Sequence, residues 1–202
     1  MTTIEMRTLT SQPCELRSSS DPAKPSVIVG YAAVFNTRSS LIMNMFVEEI
    51  APGAFDDVIG DDVRALFNHD PNFVLGRTRS GTLSLSLDSR GLAYTITPPD
   101  TQMVRDLVLA PMQRGDVSGS SFKFRVAPGG DEWREEGDIV VRTIRRFEAL
   151  IDVSPVTYPA YEDSHAAQRS LSAWKEANDA QYKARVEAEN GRRARERYLE
   201  TL

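Results

Sequence analysis

One cysteine and two histidines in 202 residues narrow the available chemistry before any pattern is read. Cys14 has no cysteine partner in the chain, so an intrachain disulfide is excluded and a reducing compartment fits. A zinc site of the usual Cys/His type would consume nearly all of Cys14, His69 and His165, at spacings that do not suggest it. Neither the phosphate-cradling G-x-x-x-x-G-K-[ST] nor the dinucleotide G-x-G-x-x-G occurs, so the common nucleotide cofactors are not expected. No apolar run approaches the roughly 18 residues of a membrane span. The opening "MTTIEMRTLTSQ" also lacks the charged start and apolar stretch of a secretory signal. With a net charge of −5 and no basic patch interleaved with aromatics, direct nucleic-acid contact is not expected. The pairs Asp56-Asp57 and Asp61-Asp62 are the remaining candidates for a hard cation. They read better as helix caps or solvent-facing acids, so no metal and no cofactor is expected.

A hydrophobic content of 41% supports a real core, and the length suits one domain with an appendage. Strand patterns dominate as far as residue 158: "TIEMRTL" weakly, then "VIVGYAAVF", "MFVEEI" and "DVRALFNHD", the last ending at His69. "APGAFDDVI" reads as a turn entering a brief helix. "TLSLSLD" and "AYTITP", joined by "SRGL", read as an antiparallel hairpin. "DTQMVRDLVLAPMQRG" has helical spacing at Met103, Val104, Leu107 and Val108, with a cap at Asp100 or Thr101, a stop at Gly115 and a kink or early end at Pro111. "GDVSGSSFKFRV" enters a strand with Phe122, Phe124 and Val126 on one face. "GGDEWREEGD" reads as a polar loop or hairpin tip, and "IVVRTIRRFEALIDVSPV" as one long strand, bent or bulged. From residue 164 the chain turns rich in Ala, Glu, Arg, Lys and Gln. Its apolar face is thin (Leu171, Trp174, Tyr182, Val186, then Tyr198 and Leu199), which marks a charged helical tail over 164–202 behind a domain over 1–163.

Serine chemistry needs a nucleophile, a base and a group that orients the base. His165 lies in the polar tail, which leaves His69 as the base. Ser121 is the best nucleophile, because it begins a strand with Gly119 and Ser120 leaving room before it. Ser120 faces the other side, so only one of the two serines can serve. For the orienting acid the long strand offers Glu148 and Asp152. Alternation puts both on one face with Leu150, and a bulge would leave only one of them beside His69. A lipase-type G-x-S-x-G elbow is missing, which argues against an esterase.

The ordered series "GYAAVFN", "EEIAPGAF", "LFNHD", "GLAYTITPP", "RGDVSGSSFKF" and "DVSPVTYPAY" resembles the prohead (capsid maturation) proteases of tailed bacteriophages, from about Gly30 to Tyr161. That resemblance implies an α+β fold related to the herpesvirus assembly protease: a mostly antiparallel, β-barrel-like sheet with a few surrounding helices. It implies a serine endopeptidase in which "NHD" and "GSSF" carry base and nucleophile, at His69 and Ser121. It favours Glu148 as the third member, for its place within the strand and its separation from Ser121, with Asp152 as the alternative. The implied partners are the phage major capsid protein and scaffold, with self-cleavage and self-association, inside the immature capsid in the host cytoplasm. The contrary expectation is a non-enzymatic capsid or scaffold component in which "SGSS" only makes a turn. The distance from His69 to Ser121 separates the two readings.

Overall fold

The computed structural model describes residues 4–9, 14–17, 25–158 and 167–178. The chain divides into two compact units, Met1–Ser164 and His165–Leu202. Within the second, residues 167–178 form a helix; Tyr182, Val186, Tyr198 and Leu199 lie outside the described residues.

The first unit is α+β and strand-rich. Its five-stranded sheet runs β1 (Glu5–Leu9), β9 (Gly119–Val126), β12 (Phe147–Val156), β5 (Arg64–Phe67), β6 (Asp70–Arg77). The β12–β5 pair is parallel and the other pairs are antiparallel. A four-stranded sheet runs β2 (Glu15–Arg17), β3 (Val27–Val34), β8 (Gly91–Ile96), β7 (Leu83–Leu87). A three-stranded sheet runs β10 (Asp131–Glu136), β11 (Ile139–Ile144), β4 (Phe46–Ile50). Among the described residues no sheet closes into a barrel, so the barrel-like expectation gives way to three open sheets.

The hairpin β7–β8 and the capped helix stand where the pattern puts them. Thr101 accepts from the Val104 N–H, and Gly115 ends the helix at φ 84°. The helix itself has three parts: α1 (Gln102–Val104), a π-helical turn over Arg105–Leu109, and α2 (Ala110–Arg114), which carries Pro111 in its first turn. The proline has no N–H to give the preceding turn, and the wider turn falls just before it. Three expectations change. "APGAFDDVI" folds as successive tight turns closed by bonds such as Asp56 N–H to Gly53 O, at 3.1 Å, rather than as a helix. "DEWREE" is a full strand, β10. The long strand is two strands, β11 and β12, broken at Arg145-Arg146 and placed in different sheets.

Two features set the frame of β9. Its inner face sends Phe122 and Phe124 into an aromatic cluster with Phe55 and Phe147, at centroid distances of 4.8 Å (Phe122–Phe124), 4.9 Å (Phe124–Phe147) and 4.4 Å (Phe55–Phe147). Such pairs add about 0.5–1.5 kcal/mol each beyond area burial, enough to hold the strand's rotation. At its start, Gly119 opposes Val156 so closely that a Cβ would lie 2.9 Å from Val156 Cγ2 and 3.0 Å from Val156 O.

Outside β9, a buried ion network lies beneath β1. The Arg7 guanidinium donates to both Glu48 oxygens (2.7 and 2.8 Å) and to Glu5 (2.8 Å). Arg142 donates to Glu5 (2.7 and 3.0 Å), Glu48 (3.0 Å) and Asp131 (2.8 Å). This joins the edge of the five-stranded sheet to β4, β10 and β11. Burial pushes the Glu5 carboxyl up, but the Arg142 and Arg7 guanidiniums outweigh it and hold Glu5 below the usual carboxylate range.

Removing one member strands the others without counter-ions. Arg142→Ala is therefore expected to cost about 3–5 kcal/mol in urea denaturation. The depressed Glu5 value makes a second expectation. Its stabilisation is present above the ordinary carboxylate range and is lost as pH falls through the lowered folded value. Glu5→Gln should thus be less stable than wild type at neutral pH, and the gap should close in acid.

Candidate active site

His69 stands in a two-residue turn. Asn68 and His69 connect β5 to β6, with Phe67 opposite Asp70, and both have left-handed backbones at φ 52° and 58°. That is the geometry of a type I′ hairpin turn, whose twist matches the strands it joins. Asparagine enters this region more readily than most residues. The Asn68 side chain also ties the turn to the end of β12. Its Oδ1 accepts from Thr157 N–H at 2.8 Å and its Nδ2 donates to Thr157 Oγ1 at 3.2 Å, while Asn68 N–H donates to Pro155 O at 3.0 Å. The turn is thereby laid across the end of the β12 strand. β6, which the sequence pattern did not show, is an exposed edge strand beginning "DPNF", polar and proline-bearing in its first half.

Ser121 sits in mid-strand, opposite Thr8 of β1 on one side and Ser154 of β12 on the other. Strand alternation separates it from Ser120, as expected. Ser120 Oγ lies on the reverse face and donates to Tyr94 OH at 3.0 Å. On the outer face His69 Nε2 lies 2.7 Å from Ser121 Oγ. The Ser121 hydroxyl also has Arg7 O as an acceptor at 2.8 Å and receives a bond from Thr8 Oγ1 at 3.1 Å. Ser121 is fully buried, at 0% exposure.

The acid beside His69 is Asp152. Its Oδ1 meets His69 Nδ1 in a short hydrogen bond. Ser154 Oγ donates to the same Oδ1 at 2.9 Å and lies 3.1 Å from His69 Nδ1. Lys123 Nζ is 3.9 Å from the other oxygen, Oδ2. Glu148, which the resemblance favoured, is not brought to His69: its side chain is 41% exposed and pairs with Arg125 at 3.3 Å. Two irregularities in β12 explain this. Between Phe147 and Ala149, and again between Leu150 and Asp152, β12 advances two residues against one of β9. Glu148 and Ile151 are the extra residues, and the second bulge breaks the alternation that put the two acids on one face.

Next to His69 a cleft of about 280 Å³ is lined by Met6, Asn68, His69, Val156, Thr157 and Tyr158. Among the described residues no cluster of three or more His, Cys, Asp or Glu side chains forms a metal site, and no helix is long and apolar enough to cross a membrane. The Asp61 and Asp62 carboxylates are spent within the fold. Asp61 accepts from Leu150 N–H at 3.0 Å and Asp62 holds Arg77 at 2.7 and 2.6 Å.

A serine hydroxyl, an imidazole and a carboxylate in one hydrogen-bonded line are the parts of a serine hydrolase. Compared with known families, residues 12–177 match the caudovirus prohead serine proteases. The chain belongs to that family. It is a serine peptidase of phage capsid maturation, and the non-enzymatic reading falls. No curated protein and no solved structure matches it. The match begins after β1, so Arg7 and Thr8 lie outside it. Sequence reasoning missed Thr8 and Ser154. Both carry hydroxyls, and only the register of β1 and β12 against Ser121 distinguishes them from any other serine or threonine.

The Asn68 ties can be tested apart from activity. Asn68→Gly keeps the left-handed turn and loses the two side-chain bonds to Thr157, for about 1–2 kcal/mol in chemical denaturation. Asn68→Ala adds the strain of a Cβ at positive φ and should cost about 1 kcal/mol more.

Proposed function

We propose that this prohead protease cuts peptide bonds with Ser121 as nucleophile, His69 as general base and Asp152 as the group that orients the base. The carrying observation is the unbroken line from Asp152 Oδ1 through His69 to Ser121 Oγ, closed by a 2.7 Å contact. In the resting arrangement two acceptors, His69 Nε2 and Arg7 O, compete for the one Ser121 hydroxyl hydrogen. Turning that hydrogen to His69 frees the nucleophile. The imidazole takes the proton as Oγ attacks the carbonyl carbon, then gives it to the leaving amine. Asp152 keeps the Nδ1–H tautomer in place and favours the imidazolium as it forms. Because β9 is paired on both sides, the Ser121 N–H is spent in the sheet. Thr8 Oγ1, already donating to Ser121 Oγ, is the side-chain donor assigned to the developing oxyanion.

The targets on this reading are extended segments of scaffold and of the major capsid protein, and the protease itself. Cleavage takes place inside the immature capsid in the host cytoplasm, where the protease also self-associates. The fold on this reading is that of the herpesvirus assembly protease, opened into three sheets. The tail serves delivery: its helix over 167–178 turns the half-buried Trp174 toward docking on scaffold, whereas Leu171, three residues before it, is 2% exposed and is not part of that surface. A chain ending near Arg169 would then stay folded and active on added peptide but no longer enter capsids.

Intact mass of a co-expressed capsid or scaffold protein tests the assignment. Ser121→Ala and His69→Ala should each abolish processing, a loss on the order of 10⁴-fold or more, and the double variant should be little worse than either. Asp152→Asn should lose orders of magnitude with the fold intact. Glu148→Gln and Ser120→Ala should process nearly as wild type. An inactive Glu148→Gln beside an active Asp152→Asn would return the role to Glu148.

A further inference from the structure

We infer that Ser154 is a positioning residue of the same site: its hydroxyl holds the Asp152 carboxylate on His69 against the pull of Lys123. The inference rests on the catalytic reading above and adds to it a residue that touches no substrate.

Asp152 is 3% exposed and has a basic side chain at each carboxylate oxygen. His69 Nδ1 binds Oδ1, and Lys123 Nζ stands 3.9 Å from Oδ2. The lysine is the competing cation, whereas in the proposed mechanism the imidazole gains a charge as it takes the serine proton. A carboxylate left to itself would turn about its Cβ–Cγ bond toward the permanent cation, at the expense of the imidazole. Ser154 opposes this turn. It is fully buried, it donates to Oδ1 at 2.9 Å, and its Oγ is 3.1 Å from His69 Nδ1, so that Oδ1 is fixed by two donors on the histidine side. Its own place is set by the ladder, directly opposite Ser121, just as Lys123 is opposite Asp152. The three hydroxyls of Thr8, Ser121 and Ser154 thus lie in one row across β1, β9 and β12, each assigned a different task.

The experiment reads the rate at which a fluorophosphonate labels the serine of the full chain. In that step Oγ bonds to phosphorus, fluoride leaves, and the proton passes to His69, so no knowledge of the cleavage sequence is required. Wild type should label and Ser121→Ala should not; failure there would remove the catalytic reading itself, and this inference with it. Given labelling, Ser154→Ala should slow it about 10- to 100-fold, the worth of a hydrogen bond to a charged group. Ser154→Cys, close in size but a weak donor, should show the same loss and guards against a cavity effect, while Ser154→Thr should stay within a few-fold of wild type. The deciding measurement is the pair Ser154→Ala and Ser154→Ala/Lys123→Met, with Lys123→Met completing the cycle. Removing the competing cation should restore most of the lost rate. A void or a local distortion at residue 154 would not respond to a charge change at residue 123. Wild-type labelling in Ser154→Ala or Ser154→Cys, or an equal loss in both Lys123 backgrounds, would overturn the inference.

Discussion

The register of β12 against β9 is the constraint on which the site depends. Ser121 opposes Ser154 and Lys123 opposes Asp152 only because β12 takes an extra residue at Ile151. Without the bulge, Ile151 would pair with Lys123 and Asp152 with Phe122, sending the carboxylate to the face that holds Phe122 and Phe124, where a charge has no partner. The aromatic cluster on that inner face pins β9, and the Asn68–Thr157 bonds pin the hairpin turn to β12. His69, Ser121 and Asp152 are therefore held by three separate devices that meet at one strand pair.

The ion network under β1 supplies what the edge of the sheet would otherwise lack. A five-residue edge strand has one neighbour and is easily lost. Here Arg7 anchors it through Glu48, and Arg142 closes the ring from β11. Buried ion pairs are poor sources of net stability, but they specify one arrangement strongly, because every alternative leaves a charge unpaired. The specified arrangement puts the Arg7 carbonyl and the Thr8 hydroxyl on Ser121.

How far the sequence could be read follows from the kind of physics involved. Alternation in "SSFKF" and "TLSLSL" is local and showed the strand and the inward faces correctly. The scarcity of histidine left His69 as the base, and the same alternation parted Ser121 from Ser120. Bulges are not local in this sense. Nothing in "RRFEALIDVS" announces that Glu148 and Ile151 are the extra residues, so the strand read as straight put both acids on one face and did not show that Asp152 is the one beside His69. The break at Arg145-Arg146 and the open sheets have the same origin: they depend on partners far away in the chain. The left-handed pair Asn68-His69 was legible in principle, since asparagine before a hydrophobic-to-polar reversal is a hairpin signal. It was read as the last residues of a strand instead.

The proposed base, nucleophile and acid stand at positions 69, 121 and 152, on a hairpin tip, a central strand and a strand that pairs in parallel with β5. A parallel pair cannot form until the whole crossover between its members exists. The ribosome releases the serine and the histidine well before the aspartate, and β12 can dock only after the rest of the unit has emerged. On the proposed assignment, a half-made chain would hold the serine and the histidine without the acid, and the site would be complete only when the last strand slides between β9 and β5.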